Sequence, residues 1–173
     1  SEGGILFLLA SENGINKLGI EPIAKINGAF INHDGLSPGI TAPSLDSQYF
    51  LHKSTLSRSN LLVSDIGYVE CHGTGTPLGD PIELKALNKI FSQSPIVVGS
   101  IKSKIGHLES AAGAAGVLSC LSLFKDGNVS YVDSSPSSNK FSFPDSCLTH
   151  SSDSDLLQQL NTIDKSSLVS SFG

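Results

Sequence analysis

Two short segments of the sequence combine histidine, glycine and hydroxyl side chains in patterns that suit acid–base or anion-stabilising chemistry. The first, residues 71–81, contains His72 in the run His-Gly-Thr-Gly-Thr, and the second, residues 99–109, contains Lys102 and His107. Two neutral imidazoles can donate Nε2–H hydrogen bonds to a developing oxyanion, and one of them can carry a proton. A nearby ammonium group favours an anion and lowers the basicity of its neighbours.

Each of these segments directly follows a predicted β-strand, at 66–71 and 95–99. Ligand sites in α/β proteins favour the carboxyl ends of strands. The two histidines are 107 − 72 = 35 positions apart, so they converge if the two strands are neighbours in one sheet. Glu109 is placed to pair with Lys102.

Plainer readings of these residues stay open at this point. A histidine at the end of a strand is more often structural than catalytic, and the glycine-threonine run lacks the spacing and the Gly-Lys-Ser/Thr ending of a P-loop. Cys71 is not expected to act as a nucleophile with His72, because adjacent strand residues point to opposite faces. We interpret His33, His52 and His150 as surface or incidental residues.

The elements that must position these segments alternate along the chain. The order strand, helix, strand, helix is typical of a layered α/β fold. Residues 129–165 are irregular and rich in serine, and we assign them no role. The predicted strands lie at 4–10, 22–32, 66–71, 95–99 and 168–172, the first two as an antiparallel pair, and the predicted helices lie at 45–59, from Asp80-Pro81 onward and at 108–124.

Composition excludes several classes of protein. The 173 residues suit one domain, and 11 basic against 16 acidic residues give a net charge of −5, which argues against nucleic acid binding. Three cysteines without metal-ligand spacing argue against a disulfide framework or a metal site, and favour a reducing, cytoplasmic location. The longest aliphatic run, Ile5 to Ala10, is too short to span a bilayer. Because the sequence has no methionine, we expect it to be a piece of a longer chain.

The two segments together resemble the β-ketoacyl synthases of polyketide and fatty acid synthases. His72 to Thr76, continuing into Leu-Gly-Asp-Pro-Ile-Glu83, resembles the HGTGT segment of these enzymes. Lys102 to His107 resembles their KSNIGH segment, and residues 109–113 continue it. Residues 32–43 are similar to the loop that opens the second half of that fold, and residues 170–173 to the start of its last glycine-rich segment.

The resemblance implies a thiolase-like fold of two similar halves, each with a mixed five-stranded sheet between helices. Residues 1–35 would be the last strands of the N-terminal half, and residues 36–173 an incomplete C-terminal half. Strands at Ile5–Leu9 and Ile23–Ile31 would then lack their sheet partners and leave open edges, so we expect self-association.

The resemblance also implies a decarboxylative condensation. In that family a cysteine takes the acyl chain as a thioester, and two histidines promote decarboxylation of a malonyl-type extender whose enolate attacks the thioester. His72, His107 and Lys102 would be the catalytic residues and Glu109 a supporting one, while Thr74 and Thr76 would bind the phosphopantetheine arm. No cofactor would bind directly, because the substrates arrive on the phosphopantetheine of an acyl carrier protein. The other partners would be the N-terminal ketosynthase half and, in the parent enzyme, a second copy in a homodimer.

Departures from the family pattern predict that this chain alone is inactive. No segment like Asp-Thr-Ala-Cys-Ser-Ser, which carries the family's nucleophile, occurs in the sequence, and Lys104 replaces the usual asparagine. The gating phenylalanine that normally follows Gly173 is also absent. The alternatives are a non-catalytic protein of chain-length-factor type and an unrelated α/β binding protein. The retained His72, Lys102 and His107 argue against the first, and two ordered motifs argue against the second.

Overall fold

A parallel sheet of four strands organises the part of the chain that the structure describes. The strands lie in the order β3-β2-β1-β4, and each of the three pairings is parallel. Both central strands are buried along their whole length, which explains why their sequences are apolar without alternation. The strands are β1 (Ile66–Glu70), β2 (Ile96–Gly99), β3 (Leu148–His150) and β4 (Ser166–Val169).

This computed structural model describes residues 1–35, 43–94, 96–126, 148–150 and 166–172. Several features singled out in the sequence lie outside these ranges: residues 36–42 of the loop at 32–43, Pro95, Cys147, most of the serine-rich stretch 129–165, and Gly173. The antiparallel strand of the expected mixed sheet is not among the described residues. No helix in the described ranges is long and apolar enough to cross a bilayer.

Helices cover both faces of the sheet, as the predicted α/β class requires. On one face, Leu56 of α2 and Leu87 of α3 join the cluster around Val69. On the other face, Cys120 of α5 packs with Tyr68. The helices are α1 (Glu12–Leu18), α2 (Leu45–Arg58), α3 (Gly79–Ile90), α4 (Lys102–Ile105) and α5 (Ala112–Asp126), and short 3-10 turns lie at Val63–Asp65 and Glu109–Ala111.

The predicted central elements agree with the structure to within a few residues. The helix expected from Asp80-Pro81 begins one residue earlier, at Gly79, and the helix expected at 108–124 begins with the 3-10 turn at Glu109–Ala111. The short helix α4 and the strand β3 have no counterpart among the predictions. The strand expected at 168–172 is shifted, because β4 ends at Val169.

Residues 1–35, which we call the N-terminal arm, differ from the prediction of two strands. They contain the helix α1 and no strand. Ser11 caps this helix by accepting the Gly14 N–H, and Gly19 ends it in the left-handed conformation, so the Asn-Gly pair lies inside a helix rather than in a turn. A strand needs a partner for its backbone N–H and C=O groups, and the arm pairs with no described strand.

The arm touches the rest of the molecule at Ser1, whose ammonium group donates a 3.3 Å hydrogen bond to the His107 carbonyl, and again from Asn27 onward. It leaves most of its apolar side chains in solvent. Phe30 lies edge-on to Phe50 of α2, at 6.2 Å between ring centroids, and the Asn32 side chain donates a 2.8 Å hydrogen bond to the Ser47 carbonyl. The two most exposed leucines, Leu6 and Leu8, are 96% and 89% exposed. The arm therefore carries an apolar surface that the described residues do not cover.

Candidate active site

The carboxyl ends of β1 and β2 bring the two histidine-containing segments together. Glu70 is in register with Gly99, and the Cys71 N–H continues the ladder by donating a 2.7 Å hydrogen bond to the Gly99 carbonyl. The two loops therefore leave the sheet side by side. The ring centroids of His72 and His107 lie 5.6 Å apart, with the ring planes nearly perpendicular at 83°.

Backbone amides fix the orientation of both imidazoles. The Glu109 N–H donates a 2.8 Å hydrogen bond to Nδ1 of His107, and the Phe172 N–H donates a 3.2 Å hydrogen bond to Nδ1 of His72. A ring nitrogen that accepts a hydrogen bond carries no proton, so a neutral ring must carry its proton on Nε2. From these contacts we assign the Nε2–H tautomer to both histidines.

His72 stays neutral near physiological pH. Burial of the ring lowers its pKa from 6.5 to about 4, and the positive charge of Lys102 and the neighbouring His107 act in the same direction. A neutral imidazole in the Nε2–H form is a hydrogen-bond donor at Nε2.

The backbone around His72 rests on a buried carboxylate that the sequence analysis did not single out. Glu83, in the first half of α3, accepts the N–H groups of His72 at 2.7 Å and of Gly73 at 3.0 Å. Its side chain is only 3% exposed, and burial raises its pKa to about 7 against the opposing effect of these hydrogen bonds. Gly73 is required here because its φ is +45° and a Cβ would lie 2.7 Å from the Cβ of Ser100.

A second buried carboxylate, Glu70, fixes the start of the other loop. It accepts the Ile101 N–H at 2.6 Å and the hydroxyls of Tyr68 and Ser119 at 2.9 and 3.0 Å. Burial raises its pKa although these hydrogen bonds favour the ionised form. The signal for Glu70 was present in the sequence as a lone acidic residue that ends an apolar strand.

The expected pairing of Lys102 with Glu109 is wrong for the residues that the structure describes. No ion pair joins them there, and the carboxylates that act on Lys102 are those of Glu70, Glu83 and Asp80. Burial lowers the pKa of Lys102, and these carboxylates oppose that effect. The Glu109 side chain is exposed, and Glu109 contributes its backbone N–H, from a left-handed conformation with φ of +50°.

The two threonines lie in the loop between His72 and α3. Thr76 accepts the Gly79 N–H at 3.0 Å, and the Asp80 carboxylate accepts the Gly75 N–H at 3.1 Å, so the loop folds back on the start of the helix. Thr74 is half-buried and Thr76 is exposed. The Thr76 hydroxyl, which only accepts in this contact, can still donate a hydrogen bond.

The remaining cysteines and histidines divide into buried and exposed groups. Cys71 is buried, and burial raises the pKa of its thiol well above the ordinary value, which fits the view that it is not a nucleophile. His33 is exposed, as expected, but the surface interpretation of His52 is wrong, because His52 is only 2% exposed. The side chain of His150 is outside the described residues. No cluster of potential metal ligands occurs in the described part of the chain.

Comparison with known proteins identifies the family of the chain. Residues 23–132 match the family described as "Beta-ketoacyl synthase, C-terminal domain". The chain belongs to this family. The relatives of this ketosynthase domain include a phenolphthiocerol/phthiocerol polyketide synthase of Mycobacterium tuberculosis, 41% identical over 132 residues, and the highly reducing polyketide synthase claI of Penicillium crustosum, 37% identical over 164 residues.

Solved ketosynthase structures share the fold of this domain. The ketosynthase from module 6 of the bacillaene synthase of Bacillus subtilis 168 is 35% identical, with a TM-score of 0.70 over 81% of this chain and 26% of that chain. The ketosynthase domain OzmH KS7 from Streptomyces albus JA3453 is 36% identical, with a TM-score of 0.63 over 66% of this chain and 20% of that chain. The predicted thiolase-like α/β fold is therefore confirmed.

The domain is a small part of the relatives that it matches. It spans 6% of the mycobacterial synthase and 7% of the Penicillium synthase, and it covers 74% and 88% of its own length in those matches. The division at residue 35 into an N-terminal and a C-terminal ketosynthase segment stays a prediction.

Proposed function

We propose that this domain supplies the two-histidine part of a ketosynthase active site that condenses an acyl thioester with a malonyl-type extender. The observation that carries the proposal is the pair of imidazoles, His72 and His107, 5.6 Å apart and each held by a backbone N–H on Nδ1. Two Nε2–H donors on rings this close together suit a reaction in which negative charge builds on a single oxygen.

In the proposed reaction the bond between the extender's α-carbon and its carboxylate breaks, and carbon dioxide leaves. The electron pair of that bond passes to the thioester enolate, whose oxygen accepts hydrogen bonds from His72 and His107. The α-carbon of the enolate then attacks the carbonyl carbon of the acyl-enzyme thioester. The carbon–sulfur bond of that thioester breaks, so the product is a β-ketoacyl thioester and the cysteine leaves as a thiolate.

Lys102 contributes charge near the extender's carboxylate and keeps His72 neutral, since its positive charge helps to lower the pKa of that ring. Thr74 and Thr76 lie on the loop that follows His72, where their hydroxyls can donate hydrogen bonds to an amide-bearing arm. We therefore propose an acyl carrier protein as the partner, with the substrate on its phosphopantetheine. The chain would work with a ketosynthase N-terminal half that provides the cysteine, in a homodimer, and would be inactive without that half.

The proposal is tested by His107→Ala in a polypeptide that joins this domain to such an N-terminal half. Removing an imidazole that stabilises or protonates the reacting oxygen typically costs 10²–10⁴-fold in rate, so carbon dioxide release from a malonyl carrier thioester should fall by about that factor. Acylation of the cysteine, followed by intact mass, should persist. His33→Ala, which removes an exposed histidine outside the site, is the matched control.

The outcomes separate this proposal from its rivals. Loss of acylation with decarboxylation preserved would overturn the role given to His107. Absence of both acylation and carbon dioxide release in the wild-type joined polypeptide would instead indicate a non-catalytic protein of chain-length-factor type.

A further inference from the structure

The histidine that the sequence analysis set aside, His52, is buried behind the site. It lies in α2 and is 2% exposed, and its Nε2 has no hydrogen-bond partner among the described residues. Burial lowers the pKa of this ring to about 4, so it is uncharged near neutral pH. A buried polar atom without a partner costs stability, and a leucine or valine at this position would avoid that cost. The presence of a histidine here therefore calls for a reason other than packing.

One aromatic ring lies between this buried histidine and the site. The Phe172 ring contacts His52 on one side, at 6.2 Å between centroids and an interplanar angle of 72°, and His72 on the other, at 5.4 Å and 64°. Both are edge-to-face arrangements in the favourable distance range for aromatic pairs. The Phe172 ring therefore contacts both the buried histidine of α2 and the histidine of the candidate site.

The backbone of the middle residue is the part that touches the chemistry. The Phe172 N–H is the donor on Nδ1 of His72. The last bond of the β4 ladder is donated by the Ser170 N–H to the Glu70 carbonyl, and the next residue, Ser171, is exposed. Beyond Ser170 no described ladder hydrogen bond fixes the chain. The edge-to-face contacts of the Phe172 ring are therefore the contacts that can fix the position of its backbone amide.

We propose that His52 is a positioning residue, which packs behind the Phe172 ring and so keeps the Phe172 amide on Nδ1 of His72. The contact selects the Nε2–H tautomer of His72 and aims its donor at the substrate oxygen. This inference rests on the proposed function only in that the reaction would use His72 as a donor.

The test reads the tautomer of His72 directly in the full chain, labelled with ¹⁵N-histidine, by long-range ¹H–¹⁵N correlation. The wild-type spectrum should show a protonated Nε2 and an unprotonated Nδ1. His52→Ala removes the support for Phe172, and loss of one hydrogen bond of ordinary strength should raise the ratio of the Nδ1–H to the Nε2–H form about fivefold. His52→Phe keeps an aromatic ring in place and should restore the wild-type ratio.

Two further variants separate positioning from general loss of stability. Leu56→Ala, one helical turn along the same buried side of α2, creates a cavity in the main core and should leave the His72 tautomer unchanged. Phe172→Ala keeps the backbone amide but removes the middle ring, so it should reproduce the effect of His52→Ala. The double variant should add little to either single change.

The proposal is overturned if His52→Ala leaves the His72 tautomer as in the wild type, or if Leu56→Ala shifts it equally. Should His52→Ala fail to fold, Phe172→Ala decides, and a wild-type tautomer ratio in that variant overturns the proposal. The readout needs no substrate or carrier protein, so an absence of condensing activity in the joined polypeptide would refute the proposed function and leave this result standing.

Discussion

Replacing Glu83 by glutamine should remove a pH dependence of stability that originates under the active site. Glu83 is buried, and its pKa is raised from 4.5 to about 7, chiefly because burial disfavours the charged form. The folded state therefore binds the Glu83 proton more tightly than the unfolded state does. It follows that the contribution of Glu83 to stability is greatest below about pH 4.5 and is lost as the pH rises to about 7.

The magnitude follows from the two pKa values. A tenfold difference in proton affinity corresponds to about 1.4 kcal/mol, so the free energy of unfolding should fall by about 3 kcal/mol as Glu83 ionises. His52 and His72 act in the opposite sense, because their lowered pKa values remove stability as the pH falls from 6.5 to about 4. Only the difference between wild type and variant therefore isolates Glu83.

The assay is urea unfolding followed by far-UV circular dichroism, since the chain has no tryptophan. Wild type and Glu83→Gln are compared at about pH 5 and about pH 8. The glutamine has one acceptor oxygen for two backbone N–H groups, and the orphaned group costs about 1–3 kcal/mol at either pH. The difference in unfolding free energy between the two proteins should therefore narrow, or reverse, by about 2.5 kcal/mol between these two pH values, because the unfolded-state carboxyl is already mostly ionised at the lower one.

A matched control makes the same chemical change at an exposed position, Glu21→Gln, which should follow the wild-type pH profile. If Glu83→Gln and wild type keep a constant difference in unfolding free energy across this pH range, burial does not control the pKa of Glu83. The raised pKa given to this carboxylate would then be refuted.

Three other predictions concern the loops and the arm. In the joined polypeptide, Thr74→Val with Thr76→Ser should raise KM for carrier-bound substrate about fivefold through the one lost hydrogen bond, while kcat stays near wild type, and an unchanged KM would remove Thr74 from arm binding. Lys102→Ala should raise the pKa of His72 above its value of about 4, as measured by NMR titration in the full chain. Lys104→Ala should change that pKa less, and equal shifts in the two variants would contradict the view that Lys102 helps to lower it. The exposed N-terminal arm should cause self-association in sedimentation at tens of micromolar, roughly the range in which exposed apolar surface drives association, and serine at its two most exposed leucines should reduce it; a strictly monomeric wild type would count against this.

The elements around the site could be predicted because their local patterns agree with their surroundings. β1 and β2 are apolar on both faces and lie buried in the sheet, and α2 begins at a serine cap followed by an acidic first turn. The convergence of His72 and His107 followed from strand-end positions together with the order of two motifs. These signals depend on residues that are close in sequence, so they can be recognised without knowledge of tertiary contacts.

The features that sequence reasoning missed all depend on contacts between distant residues. In the sequence alone, Glu83 has the pattern of an ordinary acidic residue near the start of a helix, and only the structure shows its two backbone partners. His52 reads as a surface histidine, since nothing local places it against Phe172, which is 120 positions away by their numbers. The arm shows the reverse error, because its sequence pattern is strand-like but the arm pairs with neither edge strand of the described sheet, β3 or β4.

The hydrogen bond between Phe172 and His72 has a consequence for the order in which the molecule assembles. It joins residues 100 positions apart, and it forms beside β4, which must add to β1 at the edge of the sheet. Closing so long a loop is slow compared with forming the local β1-α3-β2 unit. During refolding, helix and sheet signals should therefore recover before the His72 ring settles into its single tautomer. The domain should pass through a stage that has its secondary structure while the Nε2–H form of His72 is not yet fixed.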